Sequence, residues 1–296
     1  MEMKFEKEKD FLSKDEIIEF RKDIPFDYYY YCNCKFCSQE DKFRGEIYRV
    51  SKNKYYHNKQ KWFYLPDKSD KYPHNNPGQF VGYRFAIQQL TKPDDIVFDP
   101  TVGTGTAIFE AENNGRKGIG VELEFADTTR YYCSNQGEVY EGNVLEKNPD
   151  EILKGRKIDL IVNGTPYPTI GTKSADVCRN QKDYQDPLNI GKWKLKYFED
   201  NIYKLYEPWI EHLNDGGYLC IIIKDIVVKK KNYCLHEVIA NSILKNCPEM
   251  VFDSWFIHYH LPKSFSQCMS KSWEKKNSNL KITNYQTGII LKKEEL

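Results

Sequence analysis

Residues 95–124 read DIVFDPTVGTGTAIFEAENNGRKGIGVELE, and this stretch decides the fold. A short apolar run ends at Asp99 and is followed by a turn that contains two glycines. An amphipathic stretch runs from Thr106 to Asn113, and a second apolar run ends at Glu122. A strand, a glycine turn, a helix and another strand in this order predict a βαβ unit with parallel strands.

The rest of the chain after residue 95 continues this alternation of short apolar runs and amphipathic stretches. It predicts an α/β, Rossmann-like fold of about seven strands, with a mostly parallel sheet and helices on both faces. The run Tyr218 to Lys224, YLCIIIK, is apolar almost throughout, which is typical of a central strand covered on both sides. The other predicted strands are Ile96 to Asp99, Gly118 to Glu122, Val139 to Tyr140, Ile158 to Asn163, Val251 to His258 and Thr287 to Leu291, and the predicted helices are Thr106 to Asn113, Tyr197 to Leu213 and Leu235 to Leu244.

The composition describes a globular chain with balanced charge. Its 296 residues carry 44 Lys plus Arg against 43 Asp plus Glu, so the net charge of +1 does not by itself indicate a nucleic-acid partner. No run of about 18 apolar residues is present to span a bilayer. The first residues are charged and do not resemble a secretory signal, so we expect no membrane partner and an intracellular location, cytoplasmic or nucleoid-associated.

The first 72 residues lack clear periodicity and are interpreted as an N-terminal extension to a domain that spans 73–296. We expect this extension to serve target recognition or to form a small metal-binding element. Cys32, Cys34 and Cys37 could supply three zinc thiolates, with His57 or His74 as the fourth ligand. Their spacing matches no standard structural zinc set, so we expect no metal among the functional residues.

The glycine turn of residues 95–124 is a candidate binding site for a cofactor. Gly103 and Gly105 permit a tight turn, and the helix that begins near Thr106 offers unpaired N–H groups to a polar ligand. Asp99 is placed to accept from a cationic amine or to orient the loop, and Glu122 to reach ribose hydroxyls. A nicotinamide cofactor would suit this geometry, but the third glycine of its motif is missing. A purely structural turn is the remaining alternative.

Two segments carry a resemblance to the amino-methyltransferases, the family that makes N6-methyladenine or N4-methylcytosine in DNA. DPTVGTGT, residues 99–106, is similar to the family's cofactor motif DPFxGSGT, and His74 with the later FAIQQLTKPDDIVFDP is similar to its upstream segment. The resemblance implies a seven-stranded S-adenosylmethionine-dependent methyltransferase fold with S-adenosyl-L-methionine as the cofactor. The cofactor-binding residues that it implies are His74, Asp99, Pro100, Thr101, Gly103, Gly105, Thr106, Glu122 and Asn143.

The second signature of this resemblance is DLIVNGTPYPTIGT, residues 159–172. It is similar to the family's (Asp/Asn/Ser)-Pro-Pro-(Tyr/Phe/Trp) motif and implies that Gly164, Thr165, Pro166 and Tyr167 are catalytic. Tyr167 would stack on an extruded base, while the first position normally supplies an acceptor for the target amino group. Gly164 has no such side chain, so Asn163 or Thr165 is the candidate substitute.

The resemblance implies a DNA (cytosine-N4 or adenine-N6) methyltransferase that acts on a flipped base of double-stranded DNA. RNA is an alternative substrate, and a weak or inactive subunit that binds cofactor and nucleic acid is an alternative function. Target recognition would lie in 1–72, 171–196 or 262–283, or would depend on a partner subunit. Asp225 resembles the end of the family's fifth strand near the target base, although a plain polar strand end is equally consistent.

Overall fold

The computed structural model describes residues 47–51, 54–57, 80–133, 136–169, 186–187, 189–228, 231–259 and 285–295. Within these ranges no helix is both long enough and apolar enough to cross a membrane. Two short strands near the start, Ile47–Ser51 and Lys54–His57, pair antiparallel as a hairpin. A second hairpin joins Ile226–Val228 to Lys231–Tyr233.

The centre of the described structure is a seven-stranded sheet, as the alternating sequence pattern predicts. Each predicted strand is present, and the ends differ by at most a few residues except at the fifth, which begins five residues early. Hydrophobic alternation sets the middle of a strand more firmly than its ends. The strands are β1 Ile96–Asp99, β2 Lys117–Glu122, β3 Glu138–Glu141, β4 Ile158–Asn163, β5 Leu213–Ile223, β6 Met250–Tyr259 and β7 Tyr285–Lys293.

The strand order across the sheet is β3-β2-β1-β4-β5-β7-β6. Strands β1 to β5 pair in parallel, while β7 lies antiparallel between β5 and β6. Without β7, this is the 3-2-1-4-5-6 order of doubly wound nucleotide-binding folds. The mostly parallel, Rossmann-like sheet is therefore confirmed, and β5 is a central strand with neighbours on both sides.

Helices cover both faces of this sheet. Side chains along each strand point alternately to the two faces, and each face packs against helices in its own hydrophobic core. Val97 and Val162 belong to the core beneath the first two helices, whereas Phe98 and Ile161 belong to the larger core on the opposite face. The helices of the described residues are α1 Phe80–Leu90, α2 Thr106–Asn113, α3 Ala126–Tyr132, α4 Pro149–Leu153, α5 Leu195–Asn201, α6 Glu207–Ile210 and α7 Leu235–Asn246.

A buried ion pair joins the two helices of the smaller core. Arg84 of α1 donates to both carboxylate oxygens of Glu110 of α2, at 2.6 and 3.0 Å, and both side chains are buried. One turn further along α1, Gln88 donates to Asn114 at 2.5 Å. The face of α1 that carries Arg84 and Gln88 is thereby fastened to α2, because residues four apart share one side of a helix.

The predicted single helix from Tyr197 to Leu213 is wrong. Three short segments stand there: α5, a 3₁₀ turn at Ile202–Leu205 and α6, and β5 begins already at Leu213. Pro208 has no N–H to continue a helical ladder, so the chain restarts at this point. The glycines at 216 and 217, which follow the predicted helix, lie inside an irregular first part of β5.

Several sequence-based predictions concern residues outside the described ranges. They include His74, the cysteines 32, 34 and 37, most of the extension 1–72, most of the segment 171–196 and all of the segment 262–283.

Candidate active site

The candidate site lies where the strand order of the sheet reverses, between β1 and β4. These two strands are parallel neighbours, with Phe98 opposite Ile161, so their carboxyl ends meet at one edge of the sheet. Asp99 closes β1 and Asn163 closes β4. Open α/β sheets bind their ligands in the crevice at such a reversal. The fold thus brings the predicted cofactor loop and the Gly164–Tyr167 turn to adjacent positions.

The cofactor loop requires both of its predicted glycines. Gly103 and Gly105 have φ angles of 57° and 85°, which side chains disfavour. A Cβ atom on Gly105 would also lie 2.0 Å from Sγ of Cys133. Thr129 of α3 donates its hydroxyl to the carbonyl of Gly103, so α3 holds the loop from outside. Gly105 is the N-cap of α2, and its own backbone leads directly into that helix.

Asp99 is buried beneath this loop, with 2% of its surface exposed. Its Oδ1 accepts from the backbone N–H of Thr101 at 3.0 Å and from Nδ2 of Asn163 at 2.7 Å. Burial raises the pKa of Asp99 to about 7, although both hydrogen bonds act in the opposite direction and the charge of Glu122 reinforces the rise. Pro100 is buried next to it, and Thr101 is half-buried.

Glu122 ends β2 at the position expected for a ribose-binding acid. Its carboxylate is buried and accepts from the backbone N–H of Gly103 at 2.9 Å, so it faces the cofactor loop. A carboxylate has about four acceptor positions, and ribose hydroxyls can share it with Gly103. Thr106, the first residue of α2, is also buried.

Asn143 provides a test of whether this site suits S-adenosylmethionine. Its Oδ1 accepts from the N–H of Leu145 at 3.1 Å, which fixes the side chain at the start of a 3₁₀ turn. Its Nδ2 is buried and has no hydrogen-bond partner among the described residues. A buried, unpaired amide donor is costly unless a ligand completes it. An adenine ring nitrogen is a suitable acceptor, so Asn143 fits the cofactor.

The turn after β4 places its side chains in two different environments. Gly164, Pro166 and Tyr167 are partly exposed, whereas Thr165 is buried. The Oη atom of Tyr167 accepts from the backbone N–H of Lys224 at 3.0 Å, which fixes the tyrosine ring against the end of β5. The ring is therefore held in place at the edge of the sheet, as base stacking requires.

Asn163 and Thr165 are both bound to a tyrosine that the sequence analysis did not identify. Tyr206, which is fully buried, donates its hydroxyl to Oδ1 of Asn163 at 2.8 Å and lies 2.5 Å from Oγ1 of Thr165. The Nδ2 atom of Asn163 donates to Asp99 and to Oγ1 of Thr101. The structure therefore does not support either side chain as the substitute acceptor for an amino group, because both are committed to this buried network.

Asp225 follows β5 and pairs with His236, which had no recognisable signal in the sequence. Its Oδ1 lies 2.6 Å from Nδ1 of His236, near the start of α7. Asp225 is thus fixed one residue after Lys224, whose N–H binds Tyr167. A role for Asp225 near the target base stays a prediction.

Comparison with protein families finds a match over the first part of the chain. Residues 2–127 match a family model described as DNA methylase, the N6- and N4-amino-methyltransferase family. This match confirms the resemblance to the amino-methyltransferases over residues 2–127, and the turn at Gly164–Tyr167 lies outside it. The matched range contains the cofactor loop and Glu122, and it also contains the segment interpreted as an extension. The amino-methyltransferase match and the fold together support S-adenosylmethionine-dependent methyl transfer. No curated protein matches the chain.

Solved structures with a similar fold are distant in sequence. TrmN from Thermus thermophilus is 10% identical with a TM-score of 0.46, and the match covers 75% of this chain and 51% of TrmN. A type I restriction-modification methyltransferase subunit from Streptococcus thermophilus is 15% identical with a TM-score of 0.43, and the match covers 77% of this chain and 46% of that subunit. An rRNA methylase from the same organism is 13% identical with a TM-score of 0.44, and the match covers 74% of this chain and 99% of that methylase. The chain spans about half the length of the first two.

Proposed function

We propose that this protein transfers a methyl group to the exocyclic amino group of a base in DNA, on N6 of adenine or N4 of cytosine. The observation that carries the proposal is the direct link between two sites: Asp99 under the cofactor loop is hydrogen-bonded to Asn163 at the base of the Gly164–Tyr167 turn. A methyl donor and a planar acceptor base bound at these two places would be neighbours.

The cofactor would be held along the carboxyl ends of β1, β2 and β3. Gly103 and Gly105 let the backbone approach it, Glu122 would bind the ribose hydroxyls, and Nδ2 of Asn143 would donate to the adenine ring. Asp99 would face the positively charged amino-acid end, together with Pro100, Thr101 and Thr106 of the same loop. When bound, S-adenosylmethionine supplies a methyl group on a positively charged sulfur.

The target base would be flipped out of its helix and bound at the turn after β4. Tyr167 would stack on the base. The hydrogen bond from Lys224 N–H holds its ring in position for this contact. Pro166 stiffens the turn, and the backbone carbonyls of Gly164 and Thr165 are candidate acceptors for one amino hydrogen. Thr165 holds this turn in place through Tyr206.

A methyl-transfer assay against different acceptors tests the proposal. Purified protein is incubated with tritium-labelled S-adenosylmethionine and unmethylated genomic DNA, total RNA or a mixed protein fraction, and labelled nucleosides are identified by mass analysis. We expect label in DNA as N6-methyladenine or N4-methylcytosine. Label only in RNA would move the proposal to RNA amino methylation, and label only in protein would refute it.

A binding subunit without efficient transfer is the second candidate function. It is favoured by the absence of a side chain at Gly164 and by the engagement of Asn163 and Thr165 with Tyr206. This alternative predicts calorimetric binding of S-adenosylmethionine and gel-shift binding of DNA without any label transfer.

A further inference from the structure

At position 164 the surrounding atoms, and not the backbone conformation, exclude a side chain. Gly164 does not have a positive φ angle, so its backbone conformation is open to any residue. A Cβ atom built at this position would lie 2.2 Å from Oη of Tyr83 and 3.4 Å from Cζ of the same ring. The first distance is far below van der Waals contact, whereas the second is an ordinary contact. The hydroxyl of Tyr83 alone therefore excludes a side chain at 164.

The hydroxyl that fills this space keeps its own hydrogen-bonding capacity. Among the described residues, Tyr83 forms no hydrogen bond through its side chain, although only 6% of the residue is exposed. Burial raises the pKa of Tyr83 well above its usual value, and the negative charge of Asp99 raises it further. The phenol is therefore neutral at physiological pH, and its oxygen can accept a hydrogen bond.

The position of the Tyr83 hydroxyl is fixed by the packing of α1. The Tyr83 side chain belongs to the smaller core with Val162 of β4 and Ile222 of β5. The next residue along α1, Arg84, forms the buried ion pair with Glu110 that fastens this helix to α2. A polar group held rigidly before the substrate arrives needs no reorganisation during the reaction, which is the condition for an effective catalytic contact.

We propose that the hydroxyl of Tyr83 is a catalytic hydrogen-bond acceptor for the target amino group, in place of the acidic or amide side chain missing at Gly164. This inference rests on the proposed amino-group methylation. As the amino nitrogen forms its bond to the methyl carbon, the carbon–sulfur bond breaks and its electron pair stays on sulfur. Tyr83 accepts one N–H hydrogen from the nitrogen, which becomes positively charged, and a proton is then lost to water.

The decisive experiment moves the acceptor from position 83 back to position 164. The Tyr83→Phe variant loses only the oxygen, so it should bind S-adenosylmethionine and unfold thermally like the wild type. Its kcat for label transfer to unmethylated genomic DNA should fall about 10- to 100-fold, as expected for the loss of one oriented contact. A residue with a purely structural role would instead lower the melting temperature or cofactor affinity.

Two double variants separate the acceptor from the space that it fills. The Tyr83→Phe change leaves Cζ at 3.4 Å from a Cβ at 164, so a small side chain fits there. Adding Gly164→Ser should restore kcat at least about 5-fold over Tyr83→Phe, whereas adding Gly164→Ala should restore nothing. Equal kcat values for the wild type and Tyr83→Phe, or rescue by both double variants, would overturn this inference alone. A wild-type protein that labels neither DNA nor RNA would overturn the proposed function as well.

Discussion

The carboxylate of Asp99 and the carboxamide of Asn163 share a 2.7 Å hydrogen bond, although the two residues are 64 positions apart in the chain. The bond joins the ends of β1 and β4, and the same carboxamide continues to Tyr206 and through it to Thr165. The floor of the cofactor loop and the turn that would receive the base thus belong to one buried network. A disturbance at either end is expected to affect the other.

Replacement of Asp99 by alanine should abolish binding of S-adenosylmethionine. The change removes the acceptor for Thr101 N–H and for Asn163, and it also removes the negative charge that would face the cofactor's cationic end. Isothermal titration calorimetry measures the affinity. The exposed residue Asp253 is a matched control, and Asp253→Ala should bind normally. Wild-type affinity in Asp99→Ala would show that the site is assigned to the wrong residues.

Asp99 should also make the stability of the protein depend on pH. Its pKa is 3.8 as a free group and about 7 in the folded protein, so the folded state binds more protons between these values. Stability contributed by this site therefore falls as the pH rises from about 4 to about 7, and is constant above. The side chain at position 99 cannot ionise in the Asp99→Asn variant. The melting temperature of this variant minus that of the wild type should therefore increase as the pH rises from about 4 to about 7. A difference independent of pH would contradict the raised pKa.

Loss of the Tyr167 ring should impair methyl transfer without weakening cofactor binding. Stacking of one base on an aromatic ring contributes about 1–3 kcal/mol, which corresponds to a loss of about 5- to 150-fold in transfer by Tyr167→Ala. The matched control Tyr167→Phe keeps the ring and loses the hydroxyl that accepts from Lys224 N–H, so it should remain within about 10-fold of the wild type. Steady-state transfer of label to DNA measures both. Wild-type transfer by Tyr167→Ala would refute base stacking.

Asn143 should contribute to cofactor affinity through its amide nitrogen. The Asn143→Asp variant keeps an oxygen that accepts from Leu145 N–H but loses the amide donor. Loss of one hydrogen bond of about 1–2 kcal/mol should lower S-adenosylmethionine affinity about 10-fold. Its melting temperature should stay close to that of the wild type. The Asn143→Ala variant loses the cap as well and should be less stable. Calorimetry and thermal unfolding separate the two effects, and unchanged affinity in both variants would remove Asn143 from the site.

Removal of one partner from the buried Arg84–Glu110 pair should cost much of the protein's stability. In Glu110→Ala the guanidinium of Arg84 would remain buried opposite a lost carboxylate, and we expect a loss of about 3–5 kcal/mol in the free energy of unfolding. The double variant Arg84→Met with Glu110→Leu replaces the pair by apolar groups and should stay near the wild type. Chemical denaturation measures both, and equal losses in the two variants would contradict this prediction.

The sequence was sufficient to predict the sheet, because hydrophobic alternation and glycine turns are local signals. One error was local: the helix predicted from Tyr197 to Leu213 is divided into short segments, because Pro208 cannot donate to a helical ladder. Tertiary packing decides the rest. Tyr206 and Tyr83 had no such signal. Tyr206 reaches the site from the 3₁₀ and helical segments before β5, and Tyr83 meets Gly164 only through the packing of α1 on β4.

The 2.2 Å distance between Oη of Tyr83 and a Cβ at position 164 also has an evolutionary meaning. The two positions cannot both carry their oxygen-bearing side chains, so a substitution at one changes which residues selection can accept at the other. Among relatives of this chain, tyrosine at the position of Tyr83 should accompany glycine at the position of Gly164. Sequences with Asp, Asn or Ser at the latter should carry a residue without this hydroxyl at the former. A lineage could pass between the two arrangements through an intermediate with phenylalanine at position 83 and glycine at position 164. This intermediate has space for an oxygen-bearing side chain at either position and carries one at neither.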